Sequence, residues 1–120
     1  MNENVYWMLE LAVQPGRLND LRNVMQDMVD AASTNEPGTL NYEWNISADG
    51  GASHIYVRYR DSAAVMTHMQ AFGTRFTARF MELVTITRFV VYGSPGAEVK
   101  AALAAYSPVY FAPFGGFKRC

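Results

Sequence analysis

The strongest constraint on this chain is a pair of β-prone runs, LNYEWNI over residues 40–46 and HIYVRYR over residues 54–60, joined by SADGGAS. Side chains alternate between the two faces of a strand. Asp49-Gly50-Gly51 supplies the residue types a hairpin turn needs. A two-residue turn at Asp49-Gly50 or at Gly50-Gly51 puts even positions of the first run on the same face as odd positions of the second. One face then collects Leu40, Tyr42, Trp44, Ile46, Ile55, Val57 and Tyr59. The other collects Asn41, Glu43, Asn45, His54, Tyr56 and Arg58. Only a bulge would upset that division.

The flanking segments place the hairpin in a larger order. Residues 5–14 are β-prone and end at the turn signal Pro15-Gly16. Leu18, Leu21, Met25, Met28, Val29 and Ala32 fall at helical spacing, which predicts a helix over 18–33. Asn35-Glu36-Pro37-Gly38 stops it. After the hairpin, Asp61 is a candidate N-cap. Val65, Met69, Phe72, Phe76, Phe80 and Leu83 form the buried stripe of a second helix, with a break expected at Gly73. Residues 84–92 read as a strand, and Ser94-Pro95 opens a short helix over 95–105. The tail SPVYFAPFGGFKR reads as an extended arm, which Pro108 and Pro113 restrict to a sheet edge.

Strand, helix, hairpin, helix, strand is the order of the ferredoxin-like split βαβ fold, an α+β class with helices on one face of an antiparallel sheet. A single domain spans residues 1–120, with its core over 5–93 and the helix and arm over 94–120. Half of the residues are apolar, enough for one core without disulfide or metal support. Val5, Trp7, Leu9, Leu11 and Val13 should join Tyr42, Trp44, Ile55 and Val57 beneath the helices. The opposite face carries Tyr6, Met8, Glu10, Glu43, Tyr56 and Arg58. It is too apolar to stay wet across a whole sheet. A two-fold homodimer packed sheet to sheet is therefore expected, with Glu10, Glu43 and Arg58 as polar interface residues. Glu43 and Arg58 stand near-opposite. They read either as an acid–base pair beside a substrate or as an ion pair between protomers, where a charge left unpaired is costly.

The net charge is −1 with acids and bases interspersed, so no nucleic-acid partner is expected. Apolar runs such as residues 89–92 are far too short to span a bilayer, so no membrane partner is expected. The opening MNENVYWMLEL lacks the basic region and cleavage site of a signal peptide. The single cysteine, Cys120, excludes an intramolecular disulfide, reads as an incidental thiol and fits a cytoplasmic protein. HExxH, CxxC, Gly-rich phosphate loops and GxSxG elbows are all absent. His54 and His68 have no carboxylate or cysteine at metal-ligand spacing, so no metal site is expected.

Two candidates for chemistry remain. His68 flanks the second helix's apolar stripe. It reads as a general base reaching a pocket between helix and sheet, or as a half-buried surface residue. Trp7, Tyr42, Trp44, Tyr59, Phe72 and Phe76 read as core, or as the substrate-binding wall of a pocket for a flat apolar ligand. Seven methionines suit an adaptable lining.

The segments Pro37–Trp44 (PGTLNYEW), Asp49-Gly50, His54–Ser62 (HIYVRYRDS) and Thr87–Pro95 (TRFVVYGSP), in this order and spacing, resemble the antibiotic biosynthesis monooxygenase superfamily over residues 5–93. The resemblance implies a dimeric α+β barrel with a pocket between helices and sheet. It also implies oxidation of small hydroxyaromatics or quinols by O₂ without metal or flavin, so no cofactor. A substrate that activates O₂ once deprotonated asks the protein for a dry pocket, orientation and a proton acceptor. Of the Asn, Trp and Tyr used by polyketide-tailoring members, the alignment puts Ile55, Tyr59 and Val65 at the three positions. Leu9 and Tyr59 stand where haem-degrading relatives carry Asn and Trp, which argues against haem cleavage. The resemblance thus implies a monooxygenase with His68 as base. The alternatives are a non-redox ligand-binding member of the fold and a purely structural dimer whose aromatic face is solid core.

Overall fold

The computed structural model describes residues 3–119, so Cys120 lies outside the described residues. Its elements are β1 (Val5–Val13), α1 (Leu18–Asn35), β2 (Thr39–Ile46), β3 (Ala52–Tyr59), α2 (Ser62–Arg75), α3 (Thr77–Met81), β4 (Val84–Gly93), α4 (Ala97–Leu103), a 3₁₀ turn (Ala104–Tyr106) and β5 (Val109–Phe111). The sheet order is β2-β3-β1-β4-β5. The first four strands pair antiparallel, and β5 adds to β4 in parallel. This is the expected ferredoxin-like α+β fold, with the arm's strand at the sheet edge.

The strand faces divide as alternation requires. Tyr42 stands opposite Val57, and Trp44 opposite Ile55. β1 buries Val5, Trp7 and Leu11 on the face that meets α1, α2 and α4. The turn itself is longer than two residues. The Ser47 N–H donates to Ala52 O at 2.8 Å, and the Gly50 N–H to Ser47 O at 3.0 Å. Gly50 takes a positive φ of 74°, which glycine adopts without strain. Asp49 Oδ1 ties the loop by accepting from the Gly51 N–H at 2.9 Å and the Ser47 hydroxyl at 2.8 Å. The longer turn leaves the face division intact because Ile46 still pairs with Ser53, the register that a two-residue turn at Asp49-Gly50 would give.

Four local expectations shift. Leu40 and Ile46 are 41% and 51% exposed rather than buried. Leu40 falls in a register irregularity between Thr39 and Asn41, which turns it off the inner face. Ile46 is the last residue of β2, beyond the cover of the helices. In α1, Val24 is fully enclosed, while Met25 and Val29 are only half-buried. The second helix breaks at Phe76, not Gly73. Gly73 is exposed within α2 with open space around it. Phe72, Phe76 and Phe80, spaced four apart, are all buried across the break at Phe76 (φ −123°). The Thr77 hydroxyl donates to the carbonyl of Phe72 at 3.1 Å. Among the described residues no helix is long and apolar enough to cross a membrane.

The turn between α1 and β2 is pressed against the start of α2. A Cβ added to Gly38 would lie 2.6 Å from Cβ of Ala64. The Gly38 carbonyl also accepts from the Arg60 N–H at 2.8 Å, so the turn cannot simply retreat. Gly38→Ala should therefore destabilise the protein by about 1–3 kcal/mol through overpacking. Calorimetry should show Tm falling by roughly 5–15 °C. An unchanged Tm would mean that this contact relaxes freely.

Candidate active site

The turn that Gly38 anchors brings Glu36 under the sheet-facing side of α2. Asp61 caps that helix, its carboxylate accepting from the Ala64 N–H at 2.9 Å. Two turns further on, His68 falls on the same buried side as Ala64, Val65 and Phe72. Its Nδ1 lies 2.8 Å from Glu36 Oε1, and the Thr39 hydroxyl donates to the same oxygen at 3.0 Å. Glu36 is 6% exposed and His68 8%. Burial alone would raise the Glu36 carboxyl. The hydrogen bond and charge of His68, with the hydrogen bond from Thr39, outweigh it and hold the carboxyl below its ordinary 4.5. An ionised carboxylate can only accept, so Nδ1 carries the proton. Nε2 is left as the basic nitrogen.

The imidazole is enclosed by rings. The centroids of Tyr42 and Tyr59 each lie 5.5 Å from His68, and that of Phe72 lies 6.4 Å away. His68 also forms part of the wall of a cavity of about 60 Å³ between the helices and the sheet. β1 contributes Trp7 and Leu9, β2 Tyr42, and β3 Ile55 and Val57. The helices contribute Met28, Met69, Phe72 and Phe80, and β4 contributes Ile86 and Phe89. Leu103 and Tyr106, from α4 and the turn after it, close the remaining side. An apolar cavity of about 150 Å³ accommodates benzene. A ring-sized ligand therefore enters only when part of this wall moves.

Of the aromatic set expected to form a pocket, Trp7, Tyr42 and Phe72 line the cavity. Tyr59 and Trp44 stand one ring behind it. Tyr59 packs on Trp7 at 4.8 Å, and Trp44 packs edge-on to Phe80 at 5.8 Å. Phe76 turns away, toward a polar cleft beside Arg75, whose guanidinium lies 4.9 Å from its ring centre. His68 is buried and lines the cavity rather than lying on a half-buried helix surface. Glu36 was not singled out by any sequence pattern. It lies 32 residues from His68, in a segment that otherwise only signals the end of a helix. Burial holds the Tyr42 and Tyr59 hydroxyls well above their ordinary value, so both stay protonated.

The opposite sheet face holds Glu10, Glu43 and Arg58, as expected from alternation. Glu43 and Arg58 are joined through Asn41 rather than directly. Arg58 Nε donates to Asn41 Oδ1 at 2.7 Å, and Asn41 Nδ2 donates to Glu43 Oε2 at 2.9 Å. Arg58 also donates to Asn4 Oδ1 at 2.9 Å. Glu10 lies 3.8 Å from His54.

The antibiotic biosynthesis monooxygenase family model matches residues 4–88. The chain belongs to that family. Among solved structures it is similar to MupZ from Pseudomonas fluorescens, at 20% identity and TM-score 0.84, over 98% of this chain and 96% of MupZ. It is similar to SnoaB, a cofactor-independent oxygenase from Streptomyces nogalater, at 12% identity and TM-score 0.66, over 79% of this chain and 96% of SnoaB. A putative antibiotic biosynthesis monooxygenase from Bacteroides thetaiotaomicron matches at 15% identity and TM-score 0.64, over 74% of this chain and 85% of that one. These identities speak to the fold alone. Comparison with curated proteins gives no match. The family model ends before α4, so Leu103 and Tyr106 close the cavity from outside the matched span.

The pair has a signature in acid. The folded Glu36 carboxyl titrates below its unfolded value. Its stabilising contribution is therefore complete above about pH 4.5 and is lost as pH falls through the lower folded value. Glu36→Gln should be less stable than the parent at neutral pH, and the difference should shrink below about pH 4.5. Urea unfolding midpoints across this range measure it. A constant difference would show that the carboxylate's charge is not what matters.

Proposed function

We propose that this protein is a cofactor-independent monooxygenase-type enzyme acting on a small hydroxyaromatic or quinol, with His68 as the proton acceptor and Glu36 as its positioning residue. The observation that carries the reading is the buried Glu36–His68 pair beside an otherwise apolar cavity. A phenol gains reactivity toward O₂ when it loses its proton, and the protonated imidazole that results is stabilised by the carboxylate behind it. Trp7, Tyr42 and Phe72 would hold the ring, with Met28 and Met69 as adaptable neighbours. Exclusion of water by Leu103 and Tyr106 would keep the anion poorly solvated and reactive.

A second reading keeps the same fold but no redox step: a non-redox member that binds a small ligand. One observation favours it. The positions aligned with the family's Asn and Tyr carry Ile55 and Val65, both buried and apolar.

The proposed assembly is a homodimer through the outer sheet face. Tyr6, Met8 and Tyr56 are only half-buried there, and Tyr6 and Tyr92 stack at 5.2 Å. Phe114 and Phe117 of the C-terminal arm are 105% and 81% exposed, further apolar surface for a partner to cover. Sedimentation velocity should give twice the chain mass. A monomer at micromolar concentration would contradict the dimer.

Oxygen uptake with a panel of hydroquinones and anthrones, without added cofactor, separates the two readings. Consumption that falls by a factor of about 10²–10⁴ in His68→Gln supports the monooxygenase. Glutamine retains an amide that can donate to Glu36, so the variant tests the base rather than the fold. No uptake from the folded parent would favour the non-redox reading.

A further inference from the structure

The cavity beside His68 holds about 60 Å³, so a ring enters it only by displacing a wall. The walls differ in what holds them. β1, β3 and β4 are bonded into the sheet on both sides. α2 is fixed by the Glu36–His68 bond, and α1 is joined to α3 by Asp27 and Arg79 at 2.9 Å. The remaining wall, α4 with the 3₁₀ turn after it, has no such tie. Among the described residues, no ion pair or hydrogen bond joins residues 97–106 to the body of the protein. The Gly96 N–H, just before the segment, donates to Ser62 Oγ at 3.1 Å. Lys100 lies over the ring of Tyr110, in the strand that follows, at 5.2 Å.

Three apolar side chains seat the segment instead. Val99 and Leu103 are 0% and 1% exposed, and Tyr106 is half-buried against the same core. Ala97, Ala101, Ala104 and Ala105 face outward. Apolar contact is non-directional, so the segment can lift without stranding a buried polar group. Val99 stands outside the cavity wall and serves only as a seat, whereas Leu103 and Tyr106 form part of that wall.

The backbone at both ends is special. Gly93 takes φ 99°, where an added Cβ would lie 2.5 Å from the carbonyl oxygen of Asn4. The body therefore holds the point where the chain leaves the sheet. At the far end Ser107 takes φ 54°, a region that side chains other than glycine rarely adopt. It also precedes Pro108, a place that favours extended backbone. The seated segment thus carries strain, which is released when Ser107 straightens.

We infer that residues 97–106 form a lid over the cavity, and that Leu103 and Tyr106 are specificity-determining residues that limit the ligand to a single ring. No Lys, Arg, Asp or Glu lines the cavity, so the ligand is uncharged and flat. A fused two-ring ligand meets Leu103 and Tyr106 before the lid can reseat. The inference needs the cavity and not the role of His68 as base, so it serves the redox and the non-redox readings alike.

Calorimetric titration of the full chain with phenol and with 1-naphthol tests the size limit. The parent should prefer phenol by about tenfold or more. Tyr106→Ala and Leu103→Ala should abolish or reverse that preference, and Tyr106→Phe, which keeps the ring, should retain it. Hydrogen exchange tests the lid. Amides of 99–106 should exchange about tenfold faster than those within α1 and α2. Val99→Ala should quicken them further while leaving the preference for phenol in place. Equal affinity of the parent for both probes overturns the inference, as does a parent-like preference in folded Tyr106→Ala. Protection of 99–106 equal to that of α1 overturns the lid. Failure of phenol to bind the parent overturns the inference as a whole. Phenol binding without oxygen uptake leaves the lid standing and removes the monooxygenase. Oxygen uptake that ignores ring count and Tyr106→Ala does the reverse.

Discussion

The Glu36–His68 hydrogen bond is the constraint around which the functional half of this structure is organised. It joins the turn after α1 to the middle of α2, at 2.8 Å and with both side chains nearly sealed from water. A lone charge at that depth would be neutralised or expelled. Paired, and with Thr39 donating to the carboxylate, it persists. The pair fixes the imidazole's tautomer and its orientation against Tyr42 and Tyr59. It also requires Gly38, because any side chain there would push the turn off α2.

Apart from Thr39 and the tyrosines, the side chains around the pair are apolar, which raises the effect of the few polar groups present. The cavity is small, and its third wall comes from α4 and the turn that follows. That wall lies beyond the segment the family model covers. The span matched by the family therefore carries most of the sheet, α1 to α3 and the Glu36–His68 pair, while the C-terminal extension supplies the remaining wall of the cavity. Ser107, in the left-handed region at φ 54°, ends that wall and turns the chain into β5.

Much of the fold was legible because strand alternation tolerates errors in turn length. The turn after Ser47 proved longer than expected, yet Tyr42, Trp44, Ile55 and Val57 kept their shared face. Leu40 and Ile46 escaped the pattern because a register irregularity and a strand end lie outside what period-two reasoning sees. The helix break stands at Phe76 and not at Gly73, because a single exposed glycine weakens a helix without ending it. His68 was visible as a polar residue flanking an apolar stripe. Glu36 was not, since its partner is distant in sequence and its neighbours Pro37 and Gly38 speak only of a turn. Tyr59 and Trp44 were legible as aromatics, but whether their polar atoms find partners is a tertiary fact that no spacing encodes.

The central claim is that Glu36 keeps the proton on Nδ1 of His68 and leaves Nε2 as the base. Long-range ¹H–¹⁵N correlation spectra of the imidazole test it most directly, recorded on the parent and on Glu36→Gln above the titration of the ring. The account predicts a protonated Nδ1 and an unprotonated Nε2 in the parent, with that preference weakened in Glu36→Gln. A parent imidazole carrying its proton on Nε2, or a tautomer indifferent to Glu36, would contradict it.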